Sequence, residues 1–171
     1  MTKRRVIFTI ILLFVVASLS CSPGGDDQAI KNKIVVMRVF DALNNHEYDD
    51  LDKYIAKDYV RHCQATPDVT VESLDDFKAL LSGWDQAFPN AELTIDLIAA
   101  EGDLVAFYGP FSGTHEGQMG QFPATGKSMV SETAGFHRLE NGKIVETWVT
   151  WDNLAVMNQL GLFPPPSGDK K

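Results

Sequence analysis

Asp152, His115 and His62 are the residues of this chain best placed to move protons. Asp152 follows Trp151, and an aromatic neighbour that excludes water raises a carboxylate's pKa toward the range useful for general acid–base work. The same aspartate precedes Asn153-Leu154-Ala155, where it would also serve as a helix N-cap, and both readings stand. His115 lies in Gly113-Thr114-His115-Glu116-Gly117, as either a rim group donating to a ligand oxygen or a turn histidine bonded to backbone. His62 ends the extended stretch Tyr59-Val60-Arg61-His62 and either points into a cavity or is a half-buried, satisfied ring. His137 falls near the closed end of a hairpin, roughly 15–20 Å from Asp152 by strand rise, too far to be its partner. His46 reads as surface. No histidine pair has metal-ligand spacing, and Gly-x-Ser-x-Gly, phosphate-loop and dinucleotide motifs are missing, so no metal and no cofactor is expected. Trp84, Phe88, Tyr108, Phe122 and Trp151, with Thr133, form the expected lining for a small hydrophobic or aromatic ligand. A binding protein needs only that lining; an enzyme needs Asp152 as well.

Helical periodicity predicts a first helix over Gln28–Asn44, with Ile30, Ile34, Met37 and Phe40 on one face and Val36, Val39 and Leu43 widening it. A short helix follows over Tyr48–Ile55. Ser73 is the expected N-cap of a third, whose buried stripe is Leu74, Phe77, Leu81 and Trp84. After Pro89 the pattern alternates with period two: Glu92–Ala99, then Leu104–Phe111, where Gly109-Pro110 predicts a bulge or an edge position. A loop over Gly113–Gly126 leads to Lys127–Leu139, and Asn141-Gly142 turns the chain into Ile144–Trp151. A two-residue loop sets Gly135 opposite Trp148; a three-residue loop with a bulge sets it opposite Thr147. The second option gives the cleaner inside and outside. A last helix, Asn153–Leu160, ends at Gly161 as a left-handed cap. Three helices, a run of strands and a closing helix predict an α+β fold, with a curved sheet around an apolar hollow.

The front of the chain predicts export. Lys3, Arg4 and Arg5 precede an apolar run, Val6–Leu19, too short for a permanent membrane span, and Ser18-Leu19-Ser20-Cys21 follows. Residues 1–20 read as a lipoprotein-type signal peptide, Cys21 as the lipidated residue, 21–27 as a flexible tether, 28–163 as the domain and 164–171 as a disordered tail. Ser22 after the cysteine fits outer-membrane anchoring facing the periplasm. Cys63 is then the one cysteine left, so no intramolecular disulfide is possible. The net charge is −8, and about −11 once the three signal cations are removed. With no basic stripe, nucleic-acid binding is not expected.

Ala87-Phe88-Pro89, Gly102-Asp103-Leu104-Val105-Ala106, Gly113-Thr114-His115, Thr125-Gly126-Lys127, Gly142-Lys143-Ile144-Val145-Glu146, Trp148, Asp152 and Gln159-Leu160-Gly161 occur in an order that resembles the SnoaL-like (polyketide and ester cyclase-like) family of the NTF2-like superfamily. The resemblance covers Lys31 to Leu162 and implies an NTF2-like cone, a strongly bent antiparallel sheet curled around the N-terminal helices. Such domains often dimerise through the sheet. It also implies cofactor-free ring closure by an aspartate acting as acid and base. That aspartate falls on Val149, however, and the histidine usually near it falls on Gly135. The expectation is therefore a binding cavity, with a cyclase- or isomerase-like enzyme using Asp152 as the alternative.

Overall fold

The computed structural model describes residues 23–163. The expected signal peptide, Cys21 and the tail at 164–171 lie outside the described residues. Helix α1 is Pro23–Asn44, beginning five residues before the expected Gln28, so most of the stretch read as a tether is helical. Proline at a helix start loses nothing, since the first amides have no intrahelical acceptor. A 3-10 segment, Tyr48–Lys53, leads into β1, Ile55–Cys63. Then come α2 (Leu74–Ala87), β2 (Glu92–Leu93), β3 (Leu97–Glu101), β4 (Leu104–Thr114), β5 (Ser128–Glu140), β6 (Lys143–Trp151) and α3 (Asn153–Leu160).

The strands form one curled, unclosed sheet in the order β1-β6-β5-β4-β2, with β3 also paired to β4. The pairs β6–β5, β5–β4, β4–β3 and β4–β2 are antiparallel, and β1 joins parallel to β6. The single strand expected at 92–99 is split, and the irregularity expected at Gly109-Pro110 sits in this partner. Thr94 N donates to Pro110 O and Asp96 N to Tyr108 O, and Leu97 pairs with that same Tyr108, leaving Asp96 as one extra residue. Strand β4 itself runs on to Thr114.

The hairpin register matches neither expectation. The turn does have two residues, since Glu140 pairs with Lys143, but a bulge on β6 then shifts the pairing, and Gly135 faces Val149. Thr147, Val149 and Trp151 turn to the inner face, while Trp148 pairs with Phe136 on the outer one.

The main core joins Val36, Val39 and Phe40 of α1 to Phe77 of α2 and to Tyr59, Val105, Phe107 and Ile144 of the sheet. Ile30, Ile34 and Met37, expected on the buried face, are exposed. The helix is apolar on two sides, and the denser side, Val36-Val39-Phe40, won the sheet. Ser73 caps α2 as expected, its Oγ accepting from Asp76 N at 3.1 Å. A second cluster holds α3 down through Phe88, Met129, Val156 and Leu160. Gln159 completes it: its Oε1 accepts from Val130 N and its Nε2 donates to Val130 O, both at 2.9 Å. Its amide thus continues the ladder beyond the point where β6 ends.

Candidate functional site

The inner face of the sheet does not meet α1 and α2 everywhere, and the gap is a cavity of about 170 Å³. Val39, Phe40 and Leu43 wall it from α1, and Phe77, Leu81 and Trp84 from α2. Phe107, Phe111, Val149 and Trp151 form its floor. A dry cavity of about 150 Å³ is enough to hold benzene. The hollow therefore has room for one ring of a guest.

Polar groups enter this apolar wall at a few places. Arg61, Thr147 and His137 form one cross-strand row over β1, β6 and β5. His137 Nδ1 lies 2.8 Å from Thr147 Oγ1, and its ring stacks on Phe107 with centroids 4.9 Å apart. Full burial drives the His137 pKa down from 6.5 to about 3, so the ring is neutral at pH 7. Burial likewise pushes Tyr59 up to about 12, keeping its phenol protonated. Arg61 Nη1, Thr133 Oγ1 and His137 Nε2 are buried without a hydrogen-bond partner among the described residues, and all three residues line the cavity. An unmet buried polar group costs about 1–3 kcal/mol, more when charged. Three such atoms around one hollow need partners from water or a guest.

At the mouth, Tyr48 Oη donates to Asp85 Oδ1 at 2.6 Å, and His46 Nδ1 lies 3.0 Å from the same oxygen. Burial, then the Asp85 carboxylate, raises the Tyr48 pKa. His46 takes a left-handed conformation, φ 58°, in the turn that ends α1. A carboxylate-oriented imidazole at a cavity mouth is chemically able to give or take a proton.

The three residues expected to carry catalysis do not converge. Asp152 caps α3: its Oδ1 accepts from Ala155 N at 2.8 Å, and the side chain is exposed outside the cavity. His115 is wholly buried beneath its loop, stacked on Phe88, with Nδ1 3.2 Å from Thr125 Oγ1. His62 lies on the outer face, stacked on Trp148 and 2.8 Å from Glu146 Oε1. Strand parity explains this last miss: Tyr59 turns inward, so Arg61 does too, and His62 turns out. Of the expected ligand contacts, Trp84, Thr133 and Trp151 line the cavity. Phe88 lies one layer behind, between Trp84 and His115. Tyr108 is on the outer face, its neighbour Phe107 taking the inner place, and Phe122 sits in the 115–127 loop, paired with Met119. The sequence reading sets His46 at the surface and His137 apart from Asp152 and gives no site role to Arg61 or Asp85, yet all four line the cavity. For His137 a signal existed, because it shares strand parity with Thr133.

Residues 33–160 match the family model for SnoaL-like polyketide cyclases. The chain belongs to the SnoaL-like family. Among solved SnoaL-like relatives, IdmH of Streptomyces antibioticus, proposed to be a polyketide cyclase, is 26% identical, with a TM-score of 0.68 over 76% of this chain and 98% of that one. AclR of Streptomyces galilaeus, proposed to be a hydroxylase, is also 26% identical, with a TM-score of 0.69 over 80% and 99%. A SnoaL-like protein from Jannaschia sp. CCS1 shares the fold at 21% identity, with a TM-score of 0.72 over 80% and 95%. A search of curated proteins finds no match. Cyclase and hydroxylase both appear among the relatives, so membership of the SnoaL-like family leaves the reaction open.

Proposed function

We propose that this SnoaL-like domain binds a small hydrophobic or aromatic molecule in the cavity between α1, α2 and the sheet. The observation that carries the reading is a hollow of about 170 Å³ whose walls are apolar apart from a few polar atoms, three of them unsatisfied among the described residues. The residues that would make it a cyclase support no such reading, since Val149 and Gly135 bring neither acid nor imidazole. The test is titration with benzyl alcohol, followed by the fluorescence of Trp84 and Trp151. Saturable binding that disappears in the cavity-filling variant Val149→Phe is expected. A protein that binds no small aromatic sinks the proposal.

The alternative, a cofactor-free acid–base enzyme, rests on His46 and Asp85 rather than on Asp152, because these two touch each other and line the cavity. Its mark is turnover lost in Asp85→Asn while guest affinity persists.

The setting proposed for this function is the bacterial envelope, with the domain tethered through Cys21 and facing the periplasm. The support is the charged start, the apolar run and the cysteine at its end. Cys21→Ala is expected to move the protein from the membrane to the soluble fraction. A homodimer through the outer sheet face is proposed too, supported by exposed Leu97, Tyr108, Val130 and Phe136.

A further inference from the structure

The geometry points to a monocyclic carboxylate as the ligand, its ring in the apolar hollow and its carboxylate between Arg61 and Thr133. This deepens the binding reading and rests on it.

The orphaned atoms stand at different places along the cavity. Thr133 is the cross-strand partner of Trp151, and the Arg61 guanidinium lies over the Trp151 ring, 5.8 Å from its centroid. The Arg61 backbone stands in the His137 row, but its side chain extends along the cavity to Trp151, which Thr133 also flanks. His137 is four residues from Thr133 along β5, about 13 Å by strand rise, so one ligand group does not reach both. His137 stands at the other end, against Phe40 and Phe107. Between the two ends the wall is apolar, with Leu81 and Val149 beside the ring space.

Charge then selects the chemistry at the Trp151 end. A guanidinium is a permanent cation with donors only, and its planar fork matches a carboxylate. Arg61 Nη1 is buried without a partner among the described residues, and the side chain is held against an aromatic face rather than an acid there. Two carboxylates line the cavity. Asp85 is occupied by Tyr48 and His46, and Glu92 is exposed on β2. The protein thus leaves this half-buried cation for the guest to neutralise. A neutral alcohol or carbonyl would give the site an acceptor without the charge. A carboxylate gives both, with a second oxygen for the Thr133 hydroxyl. His137, neutral at its end, suits a neutral ring substituent instead.

Size sets the other limit. A hollow of about 170 Å³ seats one ring and its carboxylate.

The experiment compares benzoate with benzyl alcohol at pH 7.5 by calorimetric titration of the protein, then repeats both with Arg61→Met and Thr133→Val. Benzoate is expected to bind at least tenfold more tightly. Arg61→Met should abolish that preference, and Thr133→Val should weaken benzoate several-fold. Benzyl alcohol binding as tightly as benzoate in the wild-type protein overturns the carboxylate assignment and leaves the binding reading intact. Binding of neither overturns both. The wild-type comparison decides the matter even if Arg61→Met fails to fold.

Discussion

Gly135 stands directly opposite Val149 on the inner face of the sheet, and the ring of Phe107 lies over the glycine. These are the positions where the resemblance puts the cyclase histidine and aspartate. Their pairing shows that the two chemical groups would have faced each other across adjacent strands. Neither group is present here, and an aromatic ring fills the space a side chain at 135 would occupy.

A side chain at 135 is accordingly expected to be costly. A Cβ there would meet Trp148 O at 2.5 Å and Phe107 Cε1 at 2.6 Å. Gly135→Ala should destabilise the fold by about 1–3 kcal/mol, as overpacking does. Urea unfolding measures it, and a midpoint equal to the wild type would show that the sheet yields at no cost.

His137 makes stability depend on pH in a defined direction. Its folded pKa, about 3, lies below the ordinary 6.5 because burial disfavours the charged ring. The unfolded chain takes up this proton below pH 6.5, and the folded chain does so only near 3. Its contribution is complete above pH 6.5 and drains as pH falls, by up to about 1.4 kcal/mol per pH unit. Asp52 and Asp76 are held below the usual carboxylate range, by Lys78 and by the Ser73 hydroxyl respectively, so they titrate at lower pH. Denaturant unfolding between about pH 4.5 and 6.5 should therefore show a weaker slope in His137→Gln than in wild type. Parallel curves would contradict the burial argument.

Trp151 and Phe88 should separate binding from folding. Trp151 lines the cavity and carries Arg61 on its face, so Trp151→Ala should weaken benzyl alcohol and benzoate alike. Phe88 is fully buried outside the cavity, and Phe88→Ala should cost about 3–5 kcal/mol. The milder Phe88→Leu should leave guest affinity within about twofold. Equal effects of Trp151→Ala and Phe88→Leu on affinity would place the guest elsewhere.

Asp152 should behave as a cap. Asp152→Ala is expected to cost about 1 kcal/mol and Asp152→Asn much less, since asparagine caps equally well. Neither should change guest affinity. A pH-dependent activity lost in Asp152→Asn would restore the aspartate to the chemistry.

The outer sheet face predicts the oligomeric state. Leu97, Tyr108, Val130 and Phe136 share that face and are exposed. Light scattering after gel filtration should give a dimer that Phe136→Glu with Val130→Glu reduces to a monomer. A wild-type monomer at high concentration would refute the proposed interface.

Local chemistry made much of this protein legible before folding was considered. Ser73 and Gly161 end their helices where the sequence says they should, because capping depends on a few neighbouring backbone groups. The order of helices and strands, and with it the cone, follows from the change of period after Pro89 and the Asn141-Gly142 turn. What the sequence left open was which side of each strand faces in, because side chains alternate and one extra residue inverts the rest. A bulge on β6 thus decided the pairing of Gly135 with Val149, and strand parity decided Arg61 over His62. The meeting of Asp85 with His46, 39 residues apart, was likewise settled only when α2 packed beside the end of α1.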